Sequence, residues 1–243
     1  MSTYSETPKQ EVVGSKTGTG MLSFAKVFLY MFVGLAITTV VAFGIGGAFA
    51  YALTQGAVPE FILEVGLIMT IVSAISLFIL MFVIHFVTLR GKHSIAVPAI
   101  LYCTLMGVVL SWFTLLIDWR ILGMAFGITS GIFLMMTLIA LFTKGNLSPL
   151  AMIGMGLFMG ALILSLVNWL IGSEMIGWIV SFALFAAIMF ITMFDIWKIK
   201  NICERGQMST NLELYCAFTL YVDFIYILIR IIYFLLIIFA NRR

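Results

Sequence analysis

The chain has 243 residues, of which 63% are hydrophobic and only 9% are charged. Soluble globular domains are typically about 45–50% apolar and about 25% charged, so this composition excludes a soluble protein and places most of the chain in lipid. The formal net charge of +3 is too small to indicate nucleic-acid binding.

Seven apolar runs follow one another along the chain. A helix needs about 20 such residues to cross the hydrocarbon core. We therefore predict an all-α, polytopic membrane protein with seven transmembrane helices in residues 26–243, preceded by a polar tail in residues 1–25. The short connections predict that consecutive helices are neighbours in the bundle. The predicted spans are 27–53, 61–87, 95–117, 121–142, 150–171, 175–196 and 214–240.

The distribution of cations predicts that the N-terminus is cytoplasmic. Arg120 is the only cation in the loops on the opposite side. Seven full spans place the C-terminal Arg242 and Arg243 on that opposite side too, so a re-entrant last segment is the alternative. The short tail and the absence of a retention signal favour a bacterial inner membrane over the endoplasmic reticulum. The cations assigned to the cytoplasmic side are Lys9, Lys16, Lys26, Arg90, Lys92, Lys144, Lys198, Lys200 and Arg205.

Glycines recur at intervals of four residues on the fourth and fifth spans. Small residues with this spacing let helix backbones approach closely, which predicts tight packing inside the bundle. The glycines are Gly123, Gly127 and Gly131 on the fourth span, and Gly156 and Gly160 on the fifth.

Five ionisable residues fall inside the spans: Glu64, His85, Asp195, Asp223 and Arg230. Charged groups in a membrane are costly and are functional candidates by default. Asp195 lies near the cytoplasmic end of the sixth span, and Asp223 lies two to three turns into the seventh, which runs the other way. The two carboxylates are therefore expected at similar depth, facing each other.

Two carboxylates in a poorly hydrated site repel each other when both are ionised, so Asp195 and Asp223 are expected to share a proton. When the pair holds the proton, the two carboxyl groups can hydrogen-bond across the two helices. When both are ionised, they push the helices apart or attract a cation. Calcium prefers hard oxygen ligands, so the two carboxylates suit a transient calcium ion. Arg230, on the same face of its helix as Asp223, is a candidate counter-ion, and Glu64 is a candidate for an outer vestibule.

At these residues the sequence resembles the Bax inhibitor-1 family. Leu220-Tyr-Val-Asp223-Phe-Ile resembles the family's LYLDFIN-like last helix, and Phe194-Asp195-Ile-Trp-Lys-Ile-Lys200 resembles the preceding YD-x-x-x-I-K segment. Ile62-Leu-Glu64-Val-Gly-Leu-Ile68 is similar to its second helix. The resemblance implies a seven-helix bundle with the last helix central, and a pH-sensitive calcium leak in which Asp195 and Asp223 form the proton-sensing pair.

The sequence departs from the family pattern at three points. Tyr226 stands where the family often has asparagine, and Arg230 stands where a polar or apolar residue is usual. In the family, the second helix brings a cation toward the aspartates. This sequence has no obvious equivalent of that cation; Arg90 is the nearest candidate, and we expect it in the loop. Arg230 is therefore the alternative partner in a closed state.

Three rival functions remain at this point. A calcium/proton exchanger would use the same aspartates, and a non-transporting regulator would bind other membrane proteins. An intramembrane aspartyl protease would need a Gly-x-Gly-Asp motif, which the residues before Asp223 do not contain. We therefore expect no enzyme activity and no cofactor. The expected partners are lipid, calcium, protons and other membrane proteins, with the chain acting as a monomer.

Overall fold

The computed structural model describes residues 13–56, 58–90 and 94–240. These residues form seven α-helices, each long and apolar enough to span a membrane, and no strand. The predicted seven-helix fold is confirmed. The helices are α1 (Val13–Thr54), α2 (Pro59–Arg90), α3 (Ala96–Leu116), α4 (Trp119–Phe142), α5 (Ser148–Ile171), α6 (Glu174–Glu204) and α7 (Thr210–Ala240).

Several helices extend beyond the apolar runs that predicted them. Helix α1 begins at Val13, inside the segment predicted as a polar tail, and α6 continues eight residues past the predicted end at Ile196 to Glu204. Hydropathy marks where the hydrocarbon core ends, but a helix can continue into the aqueous interface with its backbone hydrogen bonds intact. The first twelve residues of the predicted tail lie outside the described part of the chain.

Local sequence explains the sharp turns on the side opposite the N-terminus. The Asp118 side chain accepts a hydrogen bond from the Arg120 backbone N–H at 3.0 Å and so caps the start of α4. Gly172 ends α5 in the left-handed conformation at φ +71°, which glycine adopts without steric cost. Ser173 then caps α6. These turns let α4 and α6 begin within three residues of the preceding helix.

Helix α7 lies at the centre of the bundle, as the family resemblance implied. It packs against α1, α2, α3, α4 and α6. Its 31 residues form one continuous helix, which at 1.5 Å per residue is about 46 Å long and exceeds the roughly 30 Å hydrocarbon core. The last segment is therefore a full span and not a re-entrant one. Residues 241–243, with the two terminal arginines, lie outside the described residues.

The prediction that consecutive helices are neighbours is only partly right. Extensive packing joins α2 to α3 and α5 to α6 within the described residues, but the most extensive packing is between α1 and α3. Neither α1 with α2 nor α4 with α5 packs extensively in the same part of the chain. A short loop holds only the adjoining ends of two helices together. Where the rest of each helix lies depends on the side chains along its length.

The glycine ridges predicted to pack inside the bundle do not do so. Gly123, Gly127 and Gly131 are exposed, and a methyl group on any of them would meet no atom within 4 Å. The same holds for Gly156 and Gly160. Regular spacing places small residues on one face of a helix but does not say which way that face points.

Other glycines create the close helix contacts. A methyl group on Gly107 of α3 would come within 2.8 Å of the Thr38 carbonyl oxygen of α1, and one on Gly46 of α1 within 3.0 Å of the Ser111 carbonyl oxygen of α3. Gly154 similarly brings α5 onto α6, where a methyl group would lie 3.1 Å from the Ala187 carbonyl oxygen. Only glycine permits these backbones to approach so closely.

A buried hydrogen-bonded cluster joins α1, α3 and α7 at mid-membrane. The hydroxyl oxygens of Thr38 and Tyr221 are 2.6 Å apart, and Thr38 Oγ1 lies 3.0 Å from the carbonyl oxygens of both Gly34 and Cys103. Because a threonine hydroxyl carries one proton, which serves these carbonyls, Tyr221 donates to Thr38. Tyr221 is 1% exposed, so its hydroxyl depends on this contact.

We expect Thr38→Val to destabilise the protein more than Tyr221→Phe. The threonine substitution leaves a buried tyrosine hydroxyl with only the weak sulfur partner of Cys103, which costs about 1–3 kcal/mol. The phenylalanine substitution removes the hydroxyl itself, and Thr38 keeps its carbonyl acceptors. The free energies of unfolding in detergent micelles measure this difference. The double variant should resemble Tyr221→Phe; equal costs for the two single variants would contradict the donor assignment.

Candidate functional site

The two aspartates predicted to meet are brought together between α6 and α7. Asp195 lies about 14 Å from the α6 end at Glu204, and Asp223 lies about 20 Å from the α7 start at Thr210, at 1.5 Å per residue. The helices pack against each other, and Asp195 is close enough to Asp223 to act on it electrostatically. The predicted pair of carboxylates at similar depth is therefore present in the fold.

The environments of the two carboxylates differ. Asp223 is buried at 9% exposure, whereas Asp195 is only partly buried. Among the described residues, Oδ2 of Asp223 is the one buried side-chain oxygen or nitrogen atom without a hydrogen-bond partner. A buried ionised carboxylate with an unpaired oxygen is costly. A proton shared with Asp195, or a cation between the two, would remove that cost.

Three neighbours of the pair were not predicted as site residues. Thr192 is fully buried one turn before Asp195; its hydroxyl donates to the Ile188 carbonyl at 2.8 Å and faces Asp223. Lys198 is the cation that acts on Asp195, three residues further along α6. Both lie one turn from Asp195, a spacing at which side chains share a helix face. That spacing was the sequence signal that could have identified them.

Tyr215 of α7 is the third of these neighbours and connects Asp195 to the helix α2. It lies within electrostatic reach of Asp195, and its hydroxyl forms a long hydrogen bond of 3.4 Å with Nδ1 of His85. His85 is exposed near the predicted cytoplasmic end of α2. His85 and Tyr215 therefore connect the exposed surface near that end of α2 to Asp195, which is the less buried carboxylate of the pair.

Glu213 is a second buried carboxylate, which the sequence prediction placed at the end of a loop. It lies in the first turn of α7 and is 5% exposed. A carboxylate is favoured at a helix N-terminus by the helix dipole and by free backbone N–H groups. Ten residues separate it from Asp223, so it lies about 15 Å nearer the N-terminal end of α7, which is the predicted cytoplasmic end.

The three other predicted site residues are not brought to the pair by contacts in this structure. Glu64 is exposed in the first turns of α2, at the opposite end from Asp195. Arg230 forms no ion pair within the described residues, so the proposed counter-ion contact is absent from this conformation. Arg90 is the last residue of α2 and not a loop residue. The structure describes its backbone but not its side chain.

Three sizeable cavities of the bundle do not include the aspartate pair. Cavities of about 440, 240 and 500 Å³ are lined by neither Asp195 nor Asp223. Within the described residues, no cluster of three or more His, Cys, Asp or Glu side chains could hold a metal ion. Two carboxylates alone are a poor resident calcium site, since calcium takes six to eight oxygen ligands.

Comparison with known proteins agrees with this arrangement. The profile of the family described as "Inhibitor of apoptosis-promoting Bax1" matches residues 21–241, which include both aspartates and all of the helices except the first eight residues of α1. The chain belongs to the Bax inhibitor family. The resemblance drawn from the motifs around Asp195 and Asp223 is thus confirmed.

Two proteins similar to this Bax inhibitor family member are bacterial. The inner membrane protein YbhL of Escherichia coli (strain K12) is 31% identical over 229 residues, which cover 90% of this chain and 91% of YbhL. The uncharacterized protein RP147 of Rickettsia prowazekii (strain Madrid E) is 30% identical over 160 residues, covering 63% of this chain and 66% of RP147. No solved structure matches significantly. With its seven apolar helices, the chain is a bacterial multi-pass integral membrane protein.

Proposed function

We propose that the protein is a pH-sensitive calcium leak channel, gated by a proton shared between Asp195 and Asp223. The observation that carries this proposal is the buried Oδ2 of Asp223, which has no hydrogen-bond partner within the described residues and lies beside a second carboxylate. An aspartate that only joined two helices would be expected to use both of its oxygens in hydrogen bonds.

The proposed gate follows from like-charge repulsion. At low pH the shared proton bridges the two carboxylates and holds α6 against α7. As the pH rises the proton leaves, both groups are ionised, and their repulsion separates the helices or draws in a cation. Two unit charges 4 Å apart repel by about 4 kcal/mol at an effective dielectric constant of about 20. That energy is sufficient to shift a closed conformation toward an open one.

Calcium is the proposed cargo because it prefers carboxylate and other oxygen ligands and accepts flexible coordination geometry. The same pair could couple calcium movement to proton movement in the opposite direction, which would make the protein an exchanger. A non-transporting regulator that binds other membrane proteins needs no ion path at all. Replacing the two aspartates with neutral residues would leave the function of such a regulator intact.

The test is calcium influx into liposomes that contain the purified protein and a calcium-sensitive dye. We expect influx above that of protein-free liposomes, increasing from pH 6 to pH 8. A pH-sensitive dye in a parallel sample distinguishes leak from exchange. An exchanger moves protons out of the liposomes in proportion to the calcium that enters, whereas a leak does not. Influx equal to that of protein-free liposomes at every pH would refute the channel and favour the regulator.

A further inference from the structure

An apolar cavity of about 440 Å³ lies between α1, α3, α4 and α7, in the half of the bundle that contains the α3–α4 turn. Ile225, Leu228 and Ile232 form its α7 side, and Trp119 and Gly123 lie on its α4 side. Ligand pockets in proteins typically measure about 300–1,000 Å³. The cavity is therefore large enough for a ligand and is more than a packing defect.

The threonine hydroxyl groups that line this cavity already have hydrogen-bond acceptors. Three threonines contribute hydroxyls to its wall, and each of these hydroxyls donates to a backbone carbonyl within 3.0 Å. The pairs are Thr38 with Cys103, Thr39 with Leu35, and Thr114 with Ser111. These hydroxyl protons are therefore not available as donors inside the cavity, and the remaining lining side chains are almost all apolar. The cavity therefore favours an apolar ligand.

The cavity opens toward lipid. Phe43, Trp119 and Phe126 belong to its lining and are also among the exposed large hydrophobic side chains of the bundle. In a transmembrane segment such side chains contact the acyl chains of the bilayer. Phospholipid chains are thus the apolar molecules present at its entrance.

An unpaired cation stands beside the entrance. The Arg120 guanidinium carbon is 5.8 Å from the centre of the Trp119 ring, and Arg120 forms no ion pair within the described part of the chain. Asp118, the nearest carboxylate in sequence, accepts from the Arg120 backbone N–H as the cap of α4. Tryptophan favours the membrane–water interface, and arginine matches the geometry of phosphate oxygens.

We infer that this cavity binds one acyl chain of a phospholipid from the leaflet on the α3–α4 side, with the phosphate of that lipid at Arg120. The chain would fill the space against Ile225, Leu228 and Ile232 and complete the packing around the outer half of α7. This site is separate from the aspartate pair and does not depend on calcium transport.

Two glycines of α4 provide a matched pair of variants. Gly123 lines the cavity, and Gly127 lies one turn further on and does not. A methyl group on either glycine would meet no atom within 4 Å, and both residues are exposed. A leucine at position 123 would therefore enter the cavity, whereas a leucine at position 127 would add the same side chain to the same helix outside it.

The experiment uses vesicles that contain the full chain and a trace of phospholipid with a photoreactive diazirine at the end of one acyl chain. After irradiation, mass spectrometry of peptides locates the adducts. Ile225 and Ile232 are each 3% exposed, so a chain that stays in the bulk bilayer cannot reach them. We expect adducts on these residues in the wild type, a decrease of about tenfold in Gly123→Leu, and no change in Gly127→Leu.

Two further variants keep the result decisive. Leu228→Trp fills the cavity from the α7 side and should also remove the adducts if Gly123→Leu does not fold. Arg120→Gln should reduce adducts from the phospholipid probe but not from a photoreactive hydrocarbon without a headgroup. The inference is overturned if the wild type carries no adducts on α7, if Gly127→Leu loses them equally, or if Arg120→Gln leaves phospholipid labelling unchanged.

Discussion

In Asp195→Asn and in Asp223→Asn, we expect calcium influx at pH 8 to fall to the level of the wild type at pH 6, a decrease of about tenfold or more. Each substitution removes one charge of the pair and supplies an amide that can donate to the remaining carboxylate. Either variant therefore mimics the proton-bridged, closed pair at every pH. Loss of only 1.4 kcal/mol of repulsion already changes the ratio of open to closed conformations tenfold.

The matched control is Asp118→Asn, which changes the same residue type at the exposed cap of α4. Asparagine is as good a helix cap as aspartate, so this variant should keep the wild-type pH profile. The measurement is the initial rate of dye response in liposomes at equal protein density. A wild-type profile in both pair variants would show that the carboxylates only join α6 to α7.

We expect Gly46→Ala to be less stable than Gly47→Ala by about 1–3 kcal/mol. The added methyl group of Gly46→Ala would press on the Thr114 side chain and the Ser111 carbonyl oxygen, in the tight contact between α1 and α3. The methyl group of Gly47→Ala would meet no atom within 4 Å. The two positions are adjacent in one helix, so helix propensity cancels in the comparison.

Melting temperatures in detergent measure this difference, and Gly46→Ala should melt several degrees below Gly47→Ala. Gly107→Ala presses on the same interface from α3 and should behave like Gly46→Ala. Equal melting temperatures for the adjacent pair would mean that α1 and α3 are not in the close contact described above.

The seven helices could be predicted because membrane spans are local in sequence: about 20 apolar residues suffice, whatever packs beside them. Asp195 and Asp223 could be predicted for a related reason, since a charge within an apolar run is conspicuous. Because the sixth and seventh spans run in opposite directions, the positions of the two aspartates along them then predicted a similar depth in the membrane. Both inferences needed only the positions of residues along the membrane normal.

Inferences about which way a helix face points were less successful. The ridge of Gly123, Gly127 and Gly131 has the spacing of a packing motif yet faces outward, while Gly46 and Gly107, outside any such ridge, join α1 to α3. In a nearly uniform apolar helix the two faces have similar side chains, so hydropathy carries no signal of orientation. Glu213 was missed for another reason, because α7 begins before its apolar run does.

The most direct test of the central claim is an infrared difference spectrum of the reconstituted protein between pH 6 and pH 8. We expect the carbonyl band of a protonated carboxyl group at pH 6 that is lost at pH 8, shifts on isotope labelling of aspartate, and is absent from the Asp195→Asn, Asp223→Asn double variant. Such a band would show that these carboxylates hold a proton and release it over the range in which influx increases. A band that persists unchanged in the double variant, or no aspartate band at all, would contradict the shared-proton gate.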